Sequence, residues 1–164
     1  MKHTIFLLLV LSIFSCNNAP EPIVKVDTIA IQEANKKAFH SVLNKHLEAV
    51  PKKDLEAMKN TLTPNGNMQL ILPSTEPTYT NADFMQYHKD WFAADLEWSF
   101  TTKVLNTSIG ETLGMAIVEV VYSEPLRNGK PYFNKMIVSY DLQNINGHWY
   151  FIKDHASSVK KSTD

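Results

Sequence analysis

The dipeptide Asn146-Gly147 constrains this chain more than any other pair of its residues. A two-residue type I′ hairpin needs φ > 0 at both central positions, and Asn-Gly supplies that at low cost. The flanks, from Lys130 to Ser157, are dense in β-branched and aromatic residues, which suit a pleated, half-buried surface. Two long antiparallel strands are therefore expected there. Asn128-Gly129 is a second hairpin signal just upstream. Before it, Thr112 to Tyr122 reads as a strand that is apolar on both faces and so lies inside the sheet. From Leu96 the period is also two, with Trp98, Phe100, Thr102 and Val104 on one face. Four long strands thus fill the second half of the chain.

The first half reads as helices that would cover one face of that sheet. From Thr28 to about Val50, after a cap at Asp27, Phe39, Val42, Leu43, Leu47 and Val50 form one apolar stripe, which Pro51 ends. A short helix follows, with Leu55, Met58 and Leu62 on one side. Met68 to Leu72 reads as a short strand stopped by Pro73. Thr80, with Asp83 three residues on, opens a third helix in a capping-box arrangement. Along it Phe84, Tyr87, His88 and Trp91 repeat at helical spacing. Helices early and antiparallel strands late define an α+β domain.

The amino terminus carries a different message. Met1 to His3 is a short basic segment, and Thr4 to Phe14 is an almost unbroken apolar run. That run is too short for a membrane span of about 20 residues and suits a signal peptide. Ile13-Phe14-Ser15-Cys16 follows, and Cys16 is the only cysteine. This resembles the lipobox of bacterial lipoproteins, in which the cysteine is lipidated and begins the mature chain. The alternative is an ordinary secretory signal with an incidental cysteine. The expected organisation is a signal peptide over 1–15, a tether over 16–26, one domain over 27–158 and a charged tail over 159–164. The implied address is the bacterial cell envelope, with a lipid anchor at Cys16 in the periplasm or at the outer membrane. The 16 basic residues, only one of them arginine, against 17 acidic ones form no nucleic-acid footprint.

The order of elements, with Lys53-Asp54-Leu55-Glu56-Ala57 on the short helix, Trp91-Phe92 near the end of the third and Trp98 opening the next strand, resembles SnoaL-like domains of the nuclear transport factor 2-like superfamily. Gly147-His148-Trp149-Tyr150-Phe151-Ile152-Lys153-Asp154-His155-Ala156-Ser157 carries the likeness furthest, since many such domains close with Gly-x-Trp, an apolar pair and Asp-His-x-Ser. The resemblance spans Ile29 to Ser157. It implies a cone-shaped α+β barrel: three N-terminal helices packed on a strongly curved, mainly antiparallel sheet, with a cavity inside. It also implies a possible homodimer through the outer sheet face. The family includes isomerases, dehydratases, cyclases and association modules, so the fold leaves the function open.

Candidate site residues come from the strands and the aromatic helix. Asp154 and His155 are adjacent on the last strand, so they point to opposite faces and cannot form a dyad. Strict alternation places His155 with Trp149 and Phe151, and Asp154 with Tyr150 and Ile152. Either could be a cavity acid or base, or a strand-end residue satisfied by backbone. Glu119, between Val118 and Val120, is either paired with a partner such as Lys135 or perturbed in a pocket. Tyr140 could present its hydroxyl to a ligand or simply pack. Tyr87, Trp91 and Trp98, with Tyr140, are the candidate ligand-binding set, or alternatively core. The histidine spacing offers no metal motif, and no glycine-rich cofactor fingerprint occurs, so neither metal nor cofactor is expected. The expected function is an anchored domain that binds a small apolar molecule or a protein partner. A proton-transfer enzyme (isomerase, dehydratase or hydrolase) and a dimerisation module with a vestigial cavity are the alternatives.

Overall fold

The computed structural model describes residues 28–162. Cys16, the signal segment, the tether, the cap expected at Asp27 and the last two residues lie outside that range. The elements are α1 (Thr28–Ala49), α2 (Leu55–Lys59), β1 (Gln69–Ile71), α3 (Asn81–Ala93), β2 (Ser99–Ile109), β3 (Leu113–Arg127), β4 (Lys130–Ile145) and β5 (His148–Lys161). Among the described residues no helix is long and apolar enough to cross a membrane.

Caps and turns form where local chemistry demands them. Thr80 Oγ1 accepts from the Asp83 N–H at 3.1 Å and donates to the Asp83 carboxylate, which fixes the start of α3. Asp54 accepts from the Ala57 N–H at 2.9 Å and caps α2. Asn146 and Gly147 have φ of 53° and 85°, and Asn128 and Gly129 have 52° and 82°. Both hairpins are therefore the tight connections that the two Asn-Gly pairs encode.

The five strands form one sheet in the order β1-β5-β4-β3-β2. All neighbours are antiparallel except β1, which lies parallel to β5. The sheet is strongly curved and does not close, and the helices pack on its inner face as the cone architecture requires. Extra residues interrupt the ladders at four places, one of them in β3 between Glu124 and Arg127, which oppose Tyr132 and Lys130. Val104 opposes Val118 but Asn106 opposes Ile117, so Leu105 is extra in β2. In β5, Ile152 is extra between Phe151 and Lys153, and Val159 between Ser158 and Lys160. Such bulges bend a strand and strengthen its twist.

The core lies between α1 and the concave face. Phe39 packs edge-on to Trp149, with ring centroids 5.2 Å apart. A Cβ on Gly114 would come within 2.6 Å of the Phe39 ring, so only glycine lets α1 approach this closely. Asn35 ties the same helix to three places at once. Its Oδ1 accepts from the Trp149 indole and from Asn144, each at 3.0 Å, and its Nδ2 donates to the Gly110 carbonyl at 2.8 Å.

Two sequence expectations change here. The chain from Val159 was expected to be tail, yet β5 runs to Lys161, with Lys160 opposite Lys135 and Lys161 opposite Asn134. The facing of Asp154 and His155 also reverses. The bulge at Ile152 shifts the alternation by one residue, so Asp154 joins Trp149 and Phe151 on the inner face and His155 is exposed.

Candidate functional site

The concave side holds a cavity of about 550 Å³ lined by α1, α3, the loop after β1 and residues of all five strands. That volume suits a small molecule. Its deep end is built on β4 and β5. Tyr140 lies directly across the ladder from Asp154, and both side chains line the cavity. Asp154 is 9 % exposed. Burial pushes its carboxyl up to about 7 from the usual 3.8. Its carboxylate has no hydrogen-bond partner among the described residues. Burial, and then the charge of Asp154, raise the Tyr140 hydroxyl well above 10, so it stays a proton donor at any physiological pH.

Two histidines complete the deep end. His46, on α1, stacks on Phe151 with centroids 3.9 Å apart, and its Nδ1 lies 2.6 Å from Thr61 Oγ1. Thr61 in turn donates to the Met58 carbonyl at 2.6 Å. With that hydroxyl proton engaged, His46 Nδ1 is the donor and Nε2 keeps its lone pair. His88, on α3, donates Nδ1–H to the Phe84 carbonyl at 2.8 Å and likewise keeps Nε2 as an acceptor. Burial lowers His46 to about 3, with repulsion from His88 adding to it, and lowers His88 to about 4. Both rings are neutral at physiological pH. They can accept a proton or a hydrogen bond, but cannot serve as acids.

The opposite end, the rim, is built on the β3–β4 hairpin. Arg127 donates through Nε to Glu124 Oε2 at 2.9 Å and through Nη2 to Oε1. Tyr122 donates its hydroxyl to Glu124 Oε1 at 2.5 Å. The guanidinium carbon sits over the Tyr132 ring, 3.3 Å from its centroid. Arg127 holds the Glu124 carboxyl below the usual range against the opposing effect of burial. Burial and then the Glu124 contact push the Tyr122 hydroxyl up to about 12.

Of the residues singled out from sequence, Asp154, Tyr140, Tyr87 and Trp91 line the cavity. Trp98 stands behind it, stacked on Trp91 at 4.8 Å. Glu119 is on the outer face, where it pairs with Lys135 at 2.6 Å. His155 is on the outer face too, away from the cavity. His46, His88, Glu124 and Arg127 were not singled out. His46 does fall on the α1 stripe at the spacing of Phe39, Leu43, Leu47 and Val50, a polar residue at a core position and so a readable signal. Glu124 and Arg127 carry no such signal, because the end of a strand has no diagnostic period. Among the described residues no three His, Cys, Asp or Glu side chains gather as a metal site needs.

Comparison with known proteins places this geometry in a family. The sequence profile of the SnoaL-like domain matches residues 40–160, most of the chain, and the protein belongs to that family. No curated protein sequence matches it. Solved structures with a similar fold include hexachlorocyclohexane dehydrochlorinase LinA-type3 from Novosphingobium barchaimii LL02, with a TM-score of 0.71 at 10 % identity over 82 % of this chain and 93 % of that one. A Streptomyces avermitilis protein of the NTF2-like family, assigned as a dehydratase, gives 0.66 at 12 % identity over 77 % and 97 %. The association domain of C. elegans CaMKII gives 0.58 at 20 % identity over 77 % and 98 %. At these identities the likeness establishes the cone fold.

Proposed function

We propose that this domain takes a small, largely apolar molecule into the cone and moves a proton on it, with Asp154 as the base. One observation carries the proposal: an unpaired, desolvated carboxyl at the deep end of a cavity, opposite a permanently protonated Tyr140. A base that titrates near 7 combines a useful ionised fraction with a useful basicity at neutral pH. The substrate C–H proton would pass to Asp154. Tyr140 would donate a hydrogen bond to the group on which negative charge develops. The neutral Nε2 atoms of His46 and His88 are hydrogen-bond acceptors for a polar substituent. The outcome is isomerisation if the proton returns to another carbon, and elimination if a leaving group departs. A dehydrochlorinase among the similar folds is consistent with the second.

The test is a panel of halogenated and hydroxylated carbon acids followed by proton NMR in D₂O. Deuterium incorporation or elimination should occur, rise with pH through about 7, and fall at least about 100-fold in Asp154→Asn. A folded Asp154→Asn protein with full turnover sinks the base assignment. Compounds that bind without exchanging would leave a binding module, a reading favoured by the mainly hydrophobic walls at Leu70, Phe100, Met136 and Val138.

The same proposal places the domain in the bacterial envelope, held by a lipid on Cys16 through the 16–26 tether. The support is the signal-like segment that ends at that cysteine. Cys16→Ala should abolish incorporation of a fatty-acid probe in cells and free the domain from the membrane fraction. Unchanged labelling would remove the anchor.

A further inference from the structure

Building on that cavity-binding proposal, we infer that the ligand is elongated and amphipathic, and that its anionic head group seats on Arg127 at the rim. Arg127 is the only arginine of the chain. A guanidinium carries five N–H donors, and the two given to Glu124 leave three. The group is held on two sides. Its fork grips a carboxylate that is 4 % exposed, and its central carbon sits over the Tyr132 ring. A planar donor set fixed this way loses little freedom when it takes a second carboxylate. Arg127 is itself 35 % exposed and lines the cavity, so it is reachable from inside.

The charge pattern along the cavity gives the ligand a direction. At the rim, Arg127 and Lys161 against Glu124 leave one net positive charge among the lining side chains. At the deep end the only carboxyl is Asp154, and the lining histidines are neutral. An anion is therefore attracted at the mouth and, wherever Asp154 is ionised, repelled inside. Between the two ends run the apolar walls. Tyr132 and Tyr140 are eight residues apart on β4, a contour of roughly 26 Å that the bend shortens through space. A head group on Arg127 thus leaves the apolar body of the ligand to span toward Asp154.

The experiment uses two dyes that differ by one sulfonate. These are 8-anilinonaphthalene-1-sulfonate and the neutral N-phenyl-1-naphthylamine, titrated by fluorescence into the domain. The anionic dye should bind at least about tenfold tighter than the neutral one. That preference should disappear in Arg127→Gln. Since that variant strands Glu124, the double variant Glu124→Gln/Arg127→Gln is measured beside it, because it removes the ion pair without leaving a lone charge. Equal affinities in the natural protein, or a preference that persists in the folded double variant, overturn the inference while leaving a cavity that binds apolar molecules. Failure of both dyes to bind removes the cavity-binding proposal and this inference with it.

Discussion

Asp154 and Glu124 are two carboxyls on the inner face of one sheet, both nearly out of water, and they behave in opposite ways. Asp154 has no partner, and burial lifts it to about 7. Glu124 is just as hidden from solvent but lies at the rim, covered by a few side chains rather than deep in the protein, and Arg127 and Tyr122 hold it below the usual carboxylate range. Depth of burial and the partner at hydrogen-bonding distance together set the charge of each group, and at Glu124 the partner outweighs the burial. One end of the cavity therefore keeps a proton acceptor poised near neutrality, and the other keeps a permanent ion pair. Those are the requirements of a base and of a binding fork.

Both ends depend on the packed wedge of α1 against the sheet, so the largest effect is expected there. Trp149→Ala should cost about 3–5 kcal/mol in urea unfolding, because the indole is buried between Phe39 and Gly114 and donates to Asn35. A near-neutral result would put Trp149 outside the core and remove the common frame of the two carboxyls.

Asp154→Asn tests the unpaired end. Between about 4 and 7 the native state holds a proton on Asp154 that the unfolded chain releases, so this group makes stability fall as pH rises through that window. His46 and His88 act in the other direction. The unfolded chain protonates them below about 6.5, and the native state does so only near 3 and 4, so stability rises with pH over that range. Two protons outweigh one, and the natural protein should gain stability from about pH 4 to 6.5. Asp154→Asn should steepen that rise and add about 2–4 kcal/mol at pH 8. Denaturant midpoints across pH give both quantities. A variant with an unchanged profile would mean that Asp154 is ionised and solvated in the native state.

Arg127→Gln tests the paired end, with the opposite pH signature and a smaller effect. Glu124 contributes stability above its unfolded value near 4.5 and loses it as pH falls. Removing Arg127 should cost about 2 kcal/mol at pH 7, the guanidinium being partly solvated, and the cost should fade toward pH 3. A loss that is constant with pH would assign the role of Arg127 to its packing on Tyr132 rather than to its charge.

Much of this molecule was legible beforehand. The two Asn-Gly turns, the cap at Thr80, the stop at Pro51 and the long periodic strands are local signals, and each appears where local chemistry put it. The closing motif around Trp149 and the order of elements pointed to the SnoaL-like cone. Tyr140, Tyr87 and Trp91 were found as possible cavity residues because aromatic side chains on an inward face are visible as a pattern. His46 was visible in principle as a polar break in the α1 stripe. The rim pair was not, because Glu124 and Arg127 meet only where the β3–β4 ladder slips beyond Glu124.

The amino-acid order by itself determined which segments are helix or strand, where the hairpins turn, and that Asp154 and His155 point to opposite sides. Only the tertiary structure decided which of the two faces the cavity. A period of two fixes facing only while the ladder stays in register, and register belongs to the partner strand as much as to the strand itself. Because Ile152 is left over when β5 pairs with β4, Asp154 rather than His155 turns inward, away from water and opposite Tyr140.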